Sequence, residues 1–249
     1  MANQMQAGTE FFCVSLPNNV LTLKKSVPII NDFYAFPKIS IICPDTAIYV
    51  FNETLGHHQN VTFIPESDLI SPQSFRDLLR KYAAELGVQE QEIKHVNWYY
   101  QQALKISFAL QTAVDRRSVV MLDADTILLK KIEFFSKGRS SLYGSLSEYH
   151  DPYFQTIKNL LGPLPKDFLA FTVQFFSCTE SEAIFLKESL QVYMPKDPAM
   201  TNATWISSIL IKSVMESQHA FKPAFFSEQE LCGLSNKIFG QGEQKRELG

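Results

Sequence analysis

Four apolar residues, Val119 to Leu122, run directly into Asp123-Ala-Asp-Thr126, and this junction constrains the fold more than any other stretch of the chain. A short apolar run that ends in turn-forming residues reads as a buried strand. Alternation along that strand puts Asp123 and Asp125 on one face and Ala124 on the other. Two carboxylates converging at the carboxyl end of a strand repel each other unless a cation lies between them. Hard divalent ions such as Mg²⁺ and Mn²⁺ are held by one or two carboxylates, with phosphate oxygens and water completing the shell. The junction therefore predicts a metal and diphosphate site near the middle of the chain.

The flanking segments supply an α/β frame for such a site. Phe11–Ser15, Lys38–Cys43 and Asn60–Ile64 read as strands, the last two closed by Pro44-Asp45 and Pro65-Glu66. A mixed segment from Pro17 to about Phe36 separates the first two. Ser71 can cap a helix reaching Leu86, with Pro72 in its first turn and Phe75, Leu78, Leu79 and Tyr82 at helical spacing. A longer helix is expected from about Glu90 to Ala113. This order points to a single α/β domain with a mostly parallel central sheet flanked by helices. In open sheets of that kind ligands bind beyond the carboxyl ends of the strands, where both aspartates would lie. The second half is less regular. Strands are expected at Ser141–Leu146 and Phe168–Phe176, and helices at Glu180–Tyr193, Ala203–Glu216 and Glu228–Phe239. Residues 241–249 read as a flexible tail.

Charge and cysteine usage narrow the function classes. A net charge of −3, with Lys24-Lys25, Arg116-Arg117 and Lys130-Lys131 only as pairs, argues against a nucleic-acid partner. Cys13, Cys43, Cys178 and Cys232 lie far apart without metal-ligand spacing and read as buried thiols in a reducing compartment. The N-terminal residues are not expected to form a signal peptide. The densest apolar stretch, Phe168 to Phe176, is far shorter than the roughly 20 residues a membrane span needs. The expectation is a cytoplasmic protein without stable membrane insertion, able to touch a membrane peripherally.

Four blocks in order carry a family resemblance: Trp98-Tyr-Tyr-Gln-Gln-Ala-Leu-Lys105, Val119 to Thr126, Ser147-Glu-Tyr-His150 and Phe226-Ser-Glu-Gln-Glu-Leu-Cys-Gly233. Together they resemble a mostly bacterial group of glycosyltransferases of the GT-A type with a D-x-D metal motif. That group's blocks read W-Y-x-Q-Q-x-x-K, L-D-A-D-T, S-E-Y-H and S-E-Y-E-L-Y-G. The resemblance spans about residues 95 to 235, and Gln229 and Cys232 stand where the group has tyrosines. It implies a GT-A-like, Rossmann-like domain over residues 1–240, with a nucleotide-binding half (1–125) and an acceptor half (126–240). It further implies transfer of a sugar from a UDP- or GDP-linked donor, using Mn²⁺ or Mg²⁺. The acceptor would be a glycan, a lipid-linked glycan or another surface glycoconjugate.

The resemblance also distributes roles. Asp125, more directly than Asp123, would hold the metal, and His219 could add a ligand. Trp98, Gln101, Gln102 and Lys105 share one helix face. Lys105 would meet the diphosphate or donor sugar, and Gln101 or Gln102 would orient sugar hydroxyls. The plain alternative for that face is a surface helix with a snorkelling lysine. Glu148 and His150, in a loop after a strand, could bind acceptor hydroxyls or supply a base. Ser227 and Glu230 form a capping-box pattern, which leaves Glu228 as the residue facing the acceptor. Leu16, Pro17, Pro65 and Glu66, at the ends of early strands, are expected to contact the nucleotide.

Two other readings fit the aspartate pair. A haloacid-dehalogenase-type phosphatase would use Asp123 as nucleophile in a D-x-D-x-T motif. Here Ile127 occupies the fifth position, the motif lies mid-chain, and no Asp-Asp pair follows. A GT-A-like domain that binds a ligand or partner without turnover is the non-enzymatic alternative.

Overall fold

The computed structural model describes residues 8–85, 87, 95–115, 117–144, 150–165, 170–171, 174–191, 205–211 and 227–247. Its centre is a five-stranded sheet in the order β3-β2-β1-β4-β7. The strands are β1 (Glu10–Val14), β2 (Lys38–Cys43), β3 (Val61–Pro65), β4 (Val119–Leu122) and β7 (Phe175–Cys178). The first four are parallel, with Phe11 beside Ile39 and Val120; β7 runs antiparallel to β4, with Val120 opposite Ser177. A two-strand ribbon, β5 (Phe135–Ser136) and β6 (Arg139–Ser140), stands apart from it.

Both faces of the sheet are covered, so β1 and β4 are apolar at every core position rather than alternating with polar residues. Phe11, Cys13, Val120 and Leu122 face a core formed with helices α1 (Val20–Tyr34) and α2 (Ile48–Leu55). Phe12, Val14, Val119 and Met121 face the other core. That core packs against α4 (Pro72–Glu85), α5 (Val96–Val114), α6 (Asp151–Leu161), α7 (Glu180–Gln191), α8 (residues 205–211) and α9 (Glu228–Glu247). All four cysteines are buried free thiols, Cys13 and Cys43 on the first face and Cys178 and Cys232 on the second. A short helix, α3 (Glu66–Leu69), links β3 to α4. Among the described residues no helix is long and apolar enough to cross a membrane.

Several expectations need correction. The segment after β1, read as mixed and counted as helical in the order of elements, is helical over the fifteen residues of α1, with Pro28 at an exposed position. Strand β4 stops at Leu122, and Thr126 N–H donates to the Asp123 carbonyl at 2.9 Å. Asp123 to Thr126 is thus a turn, a conformation that Asp favours, and strand alternation does not govern the two aspartates. No strand occurs over residues 141–144; the ribbon that precedes them takes its place, and 145–146 lie outside the described residues. Of the strand expected at Phe168–Phe176, residues 168–169 and 172–173 lie outside the described residues; β7 covers Phe175–Cys178, and pairing with β4 fixes its register. Helix α6 was not anticipated: His150-Asp-Pro152 opens a helix, with proline in the first turn, rather than a loop. Helix α9 passes Phe239 and Gly240 and runs to Glu247, since a helical glycine costs only about 1 kcal/mol.

Candidate functional site

Beyond the carboxyl ends of β1 and β4 lies an open cleft of about 370 Å³, within the size range of small-molecule sites. Val14 and Asn19 line it after β1, and Asp123, Ala124 and Asp125 line it after β4. Helix α5 adds Trp98, Gln101, Gln102 and Lys105, which confirms the shared face read from their spacing. Tyr153 comes from α6, Gln174 from just before β7, and Ser227, Glu228 and Gln229 from the start of α9. The lining is predominantly polar.

One buried charge network organises this cleft. Lys105 is 6% exposed, and its Nζ donates to Asp123 Oδ1 at 2.6 Å and to Glu228 Oε1 at 2.7 Å. Burial alone would lower the lysine's pKa; the Glu228 and Asp123 carboxylates outweigh burial and hold it above the ordinary lysine value. Gln229 Nε2 donates to Asp123 Oδ2 at 3.2 Å, and the Glu228 backbone N–H donates to Gln102 Oε1 at 3.0 Å. The Asp123 N–H donates to the Gln174 carbonyl at 2.9 Å. At the start of α9, Ser227 Oγ accepts from Glu230 N–H at 3.3 Å, as the capping pattern foretold.

The geometry alters the picture of several residues. Lys105 bridges two carboxylates from distant parts of the chain. Glu228 is 2% exposed and its carboxylate is engaged by that lysine. Asp125 is exposed at the cleft, while Asp123 is partly buried. His150 sits at the N-cap of α6 with its ring 5.2 Å from that of Tyr153. Leu16 and Pro17 lie between the lining residues Val14 and Asn19 without lining the cleft themselves. Glu66 starts α3 at the end of β3, buried and away from the cleft lining. Burial, and then Asp45, push its carboxyl up to about 7. Glu148 and His219 lie outside the described residues.

Sequence reading missed Asn19, Tyr153 and Gln174. Tyr153 was hidden by the unread helix α6 and Gln174 by the misplaced strand. Asn19 carried a usable signal, since Pro17-Asn-Asn follows a strand on the ligand side of the sheet.

Among the described residues no group of three or more His, Cys, Asp or Glu side chains gathers to hold a metal. Asp123 and Asp125 are oxygen donors, which fits a hard divalent ion whose remaining positions are filled by phosphate and water. Asp125 is the more available donor, because Lys105 and Gln229 each engage one oxygen of Asp123.

A solved galactosyltransferase, LgtC, in complex with donor and acceptor sugar analogues, aligns with 91% of this chain and 83% of its own, at 13% identity and a TM-score of 0.38. No curated protein matches the sequence. Residues 23–220, most of the chain, match a family of unknown function (DUF6492), and the chain belongs to that family.

Proposed function

We propose that the protein is a glycosyltransferase that moves a sugar from a UDP- or GDP-linked donor to a hydroxyl of a glycan or lipid-linked acceptor. The observation that carries this reading is the meeting of three separated sequence blocks in one polar cleft. Those blocks are the Trp98–Lys105 face, the Asp-Ala-Asp turn and the Ser227–Gln229 helix start. Nothing in their sequence spacing requires them to meet.

Each residue has a physical task in this scheme. Lys105 fixes Asp123 through one carboxylate oxygen, and Gln229 holds the second. Asp125 presents a carboxylate to the cleft. Mg²⁺ or Mn²⁺ held by Asp125 and Asp123 would supply Lewis-acid neutralisation of the leaving diphosphate. Gln101, partly exposed, is suited to hydrogen-bond sugar hydroxyls, and the half-buried Trp98 offers a ring face for a sugar or base. Glu228, almost fully buried and held by Lys105, is suited to positioning, and Glu148 is the candidate base. The N-terminal half would take the nucleotide and the later half the acceptor, in the cytoplasm.

The phosphatase reading is disfavoured by Ile127 at the fifth position of its motif and by the lack of a following Asp-Asp pair.

The test is thermal unfolding across nucleotides and nucleotide sugars, with Mn²⁺ or with chelator. A ligand at a hundred times its Kd should add about 2.7 kcal/mol of stability. A metal-dependent rise with a nucleoside diphosphate is expected, and Asp125→Ala should lose the metal-dependent part while keeping the unliganded melting point. If no nucleoside diphosphate produces such a rise, the transferase reading fails.

A further inference from the structure

Helix α1 ties down the segment that leaves the Asp-Ala-Asp turn. A serine or threonine hydroxyl inside a helix commonly bonds back to a carbonyl of its own preceding turn. Thr54, Thr112, Thr156 and Ser189 all do so in this chain. Ser26, 4% exposed among the buried residues Val20, Leu23, Val27 and Ile30 of α1, does not. Its Oγ donates to the Thr126 carbonyl at 2.6 Å, 100 positions away in sequence. Further along the helix, the Tyr34 hydroxyl donates to the Ile132 carbonyl and accepts from the Ile132 N–H, both at 2.9 Å. The chain after the turn is therefore bound to α1 at two points. At the turn's other end, Gln174 holds the Asp123 N–H, and Lys105 and Gln229 hold its carboxylate. Asp125 lies between these anchors, exposed at the cleft, and among the described residues no group hydrogen-bonds or pairs with its carboxylate. Its direction is set by the backbone on either side.

We propose that Ser26 is a positioning residue for the cleft: its hydroxyl fixes the backbone at Thr126 and so sets how Asp125 presents its carboxylate. On the transferase reading, which this role presupposes, that carboxylate meets a divalent ion and a nucleoside diphosphate. Ser26→Ala would keep the packing of α1 and remove only the hydroxyl. The Thr126 carbonyl, left without its donor, would turn toward water, because an unpaired buried acceptor is costly. The adjoining Asp125 would move with it. Groups that orient a ligating side chain govern metal affinity without touching the metal. Helix α1 also carries Asn19, at its N-cap, to the cleft lining, so one helix sets both a lining residue and the aim of Asp125.

The experiment compares Ser26→Ala with Thr112→Val in the full chain. Thr112 is also buried, and its Oγ1 donates to the Phe108 carbonyl at 2.8 Å within α5, away from the cleft lining. Its variant loses the same kind of bond and so controls for stability alone. Two readouts are taken. The first is the Mn²⁺ concentration at which UDP or GDP raises the melting temperature halfway. It should increase about tenfold to a hundredfold in Ser26→Ala and stay at the wild-type value in Thr112→Val. The second is amide hydrogen exchange of the peptide containing Asp123 to Thr126, without metal or nucleotide. It should quicken several-fold in Ser26→Ala only. Wild-type exchange in Ser26→Ala, an unmoved Mn²⁺ midpoint, or an equal rise in Thr112→Val would each overturn the proposal. A wild-type protein with no metal-dependent response to either nucleotide would sink the transferase reading instead, while exchange still judges the Ser26 contact by itself.

Discussion

Removing the charge of Lys105 would leave Asp123 and Glu228 facing each other in a buried site. Breaking such a pair from one side costs about 3 kcal/mol or more, mostly from the uncompensated charge. Lys105→Met should therefore lower the urea midpoint clearly, and adding Glu228→Gln should restore part of the loss. An unchanged midpoint in the single variant would show that the network contributes nothing to stability. Glu66 makes a pH prediction. Its carboxyl is raised from 4.5 to about 7, so the fold prefers the protonated form. The associated stability is complete below about pH 4.5 and is lost as pH rises through about 7. Glu66→Gln should thus gain on the wild type between those limits, as read from melting temperatures at stepped pH. Parallel curves would refute the shift. Lys105 was legible as a site residue through the family resemblance; the helical period by itself placed it only on one face with Trp98 and Gln101. Its partnership with Glu228 was not, since the two lie 123 positions apart and local spacing cannot report such a contact.

Helix α9 is fastened to the cleft at its first turn and to the core through Gly233. A Cβ at that glycine would lie 2.4 Å from a ring carbon of Phe171, which is itself buried. Gly233→Ala should therefore destabilise, because overpacking of about 1–3 kcal/mol exceeds the helix-propensity gain of about 1 kcal/mol. A Gly233→Ala protein as stable as the wild type in urea would mean that Phe171 moves aside freely. The elements that could be read in advance had one unambiguous pattern. Strand β2 was found with its observed limits, and α4 within a residue at either end. Phe168 to Phe176 is apolar almost throughout, which gives no phase from which to place the strand. Only its pairing with β4 does so. Helix α1 was read only as a mixed segment after the Pro17-Asn-Asn turn, and α6 was blurred by a histidine-aspartate-proline start that resembles a turn as much as a helix.

At the scale of the whole molecule, the parallel sheet and the side of it that holds the cleft followed from the order of segments. How the second half closes over that side did not, because it depends on contacts between segments far apart in the chain. The two buried cores now offer a way to watch this architecture come apart. Burial pushes the Cys13 and Cys43 thiols up to about 12 and raises those of Cys178 and Cys232 as well. A thiol so shielded reacts only when its surroundings open. Two such thiols lie on each face of the sheet, so the molecule carries its own timers for the separate layers. Alkylation in mild denaturant, located by mass spectrometry, should mark one pair before the other if the layers loosen independently. Simultaneous marking of all four would make the sheet and both its helical coverings one cooperative unit.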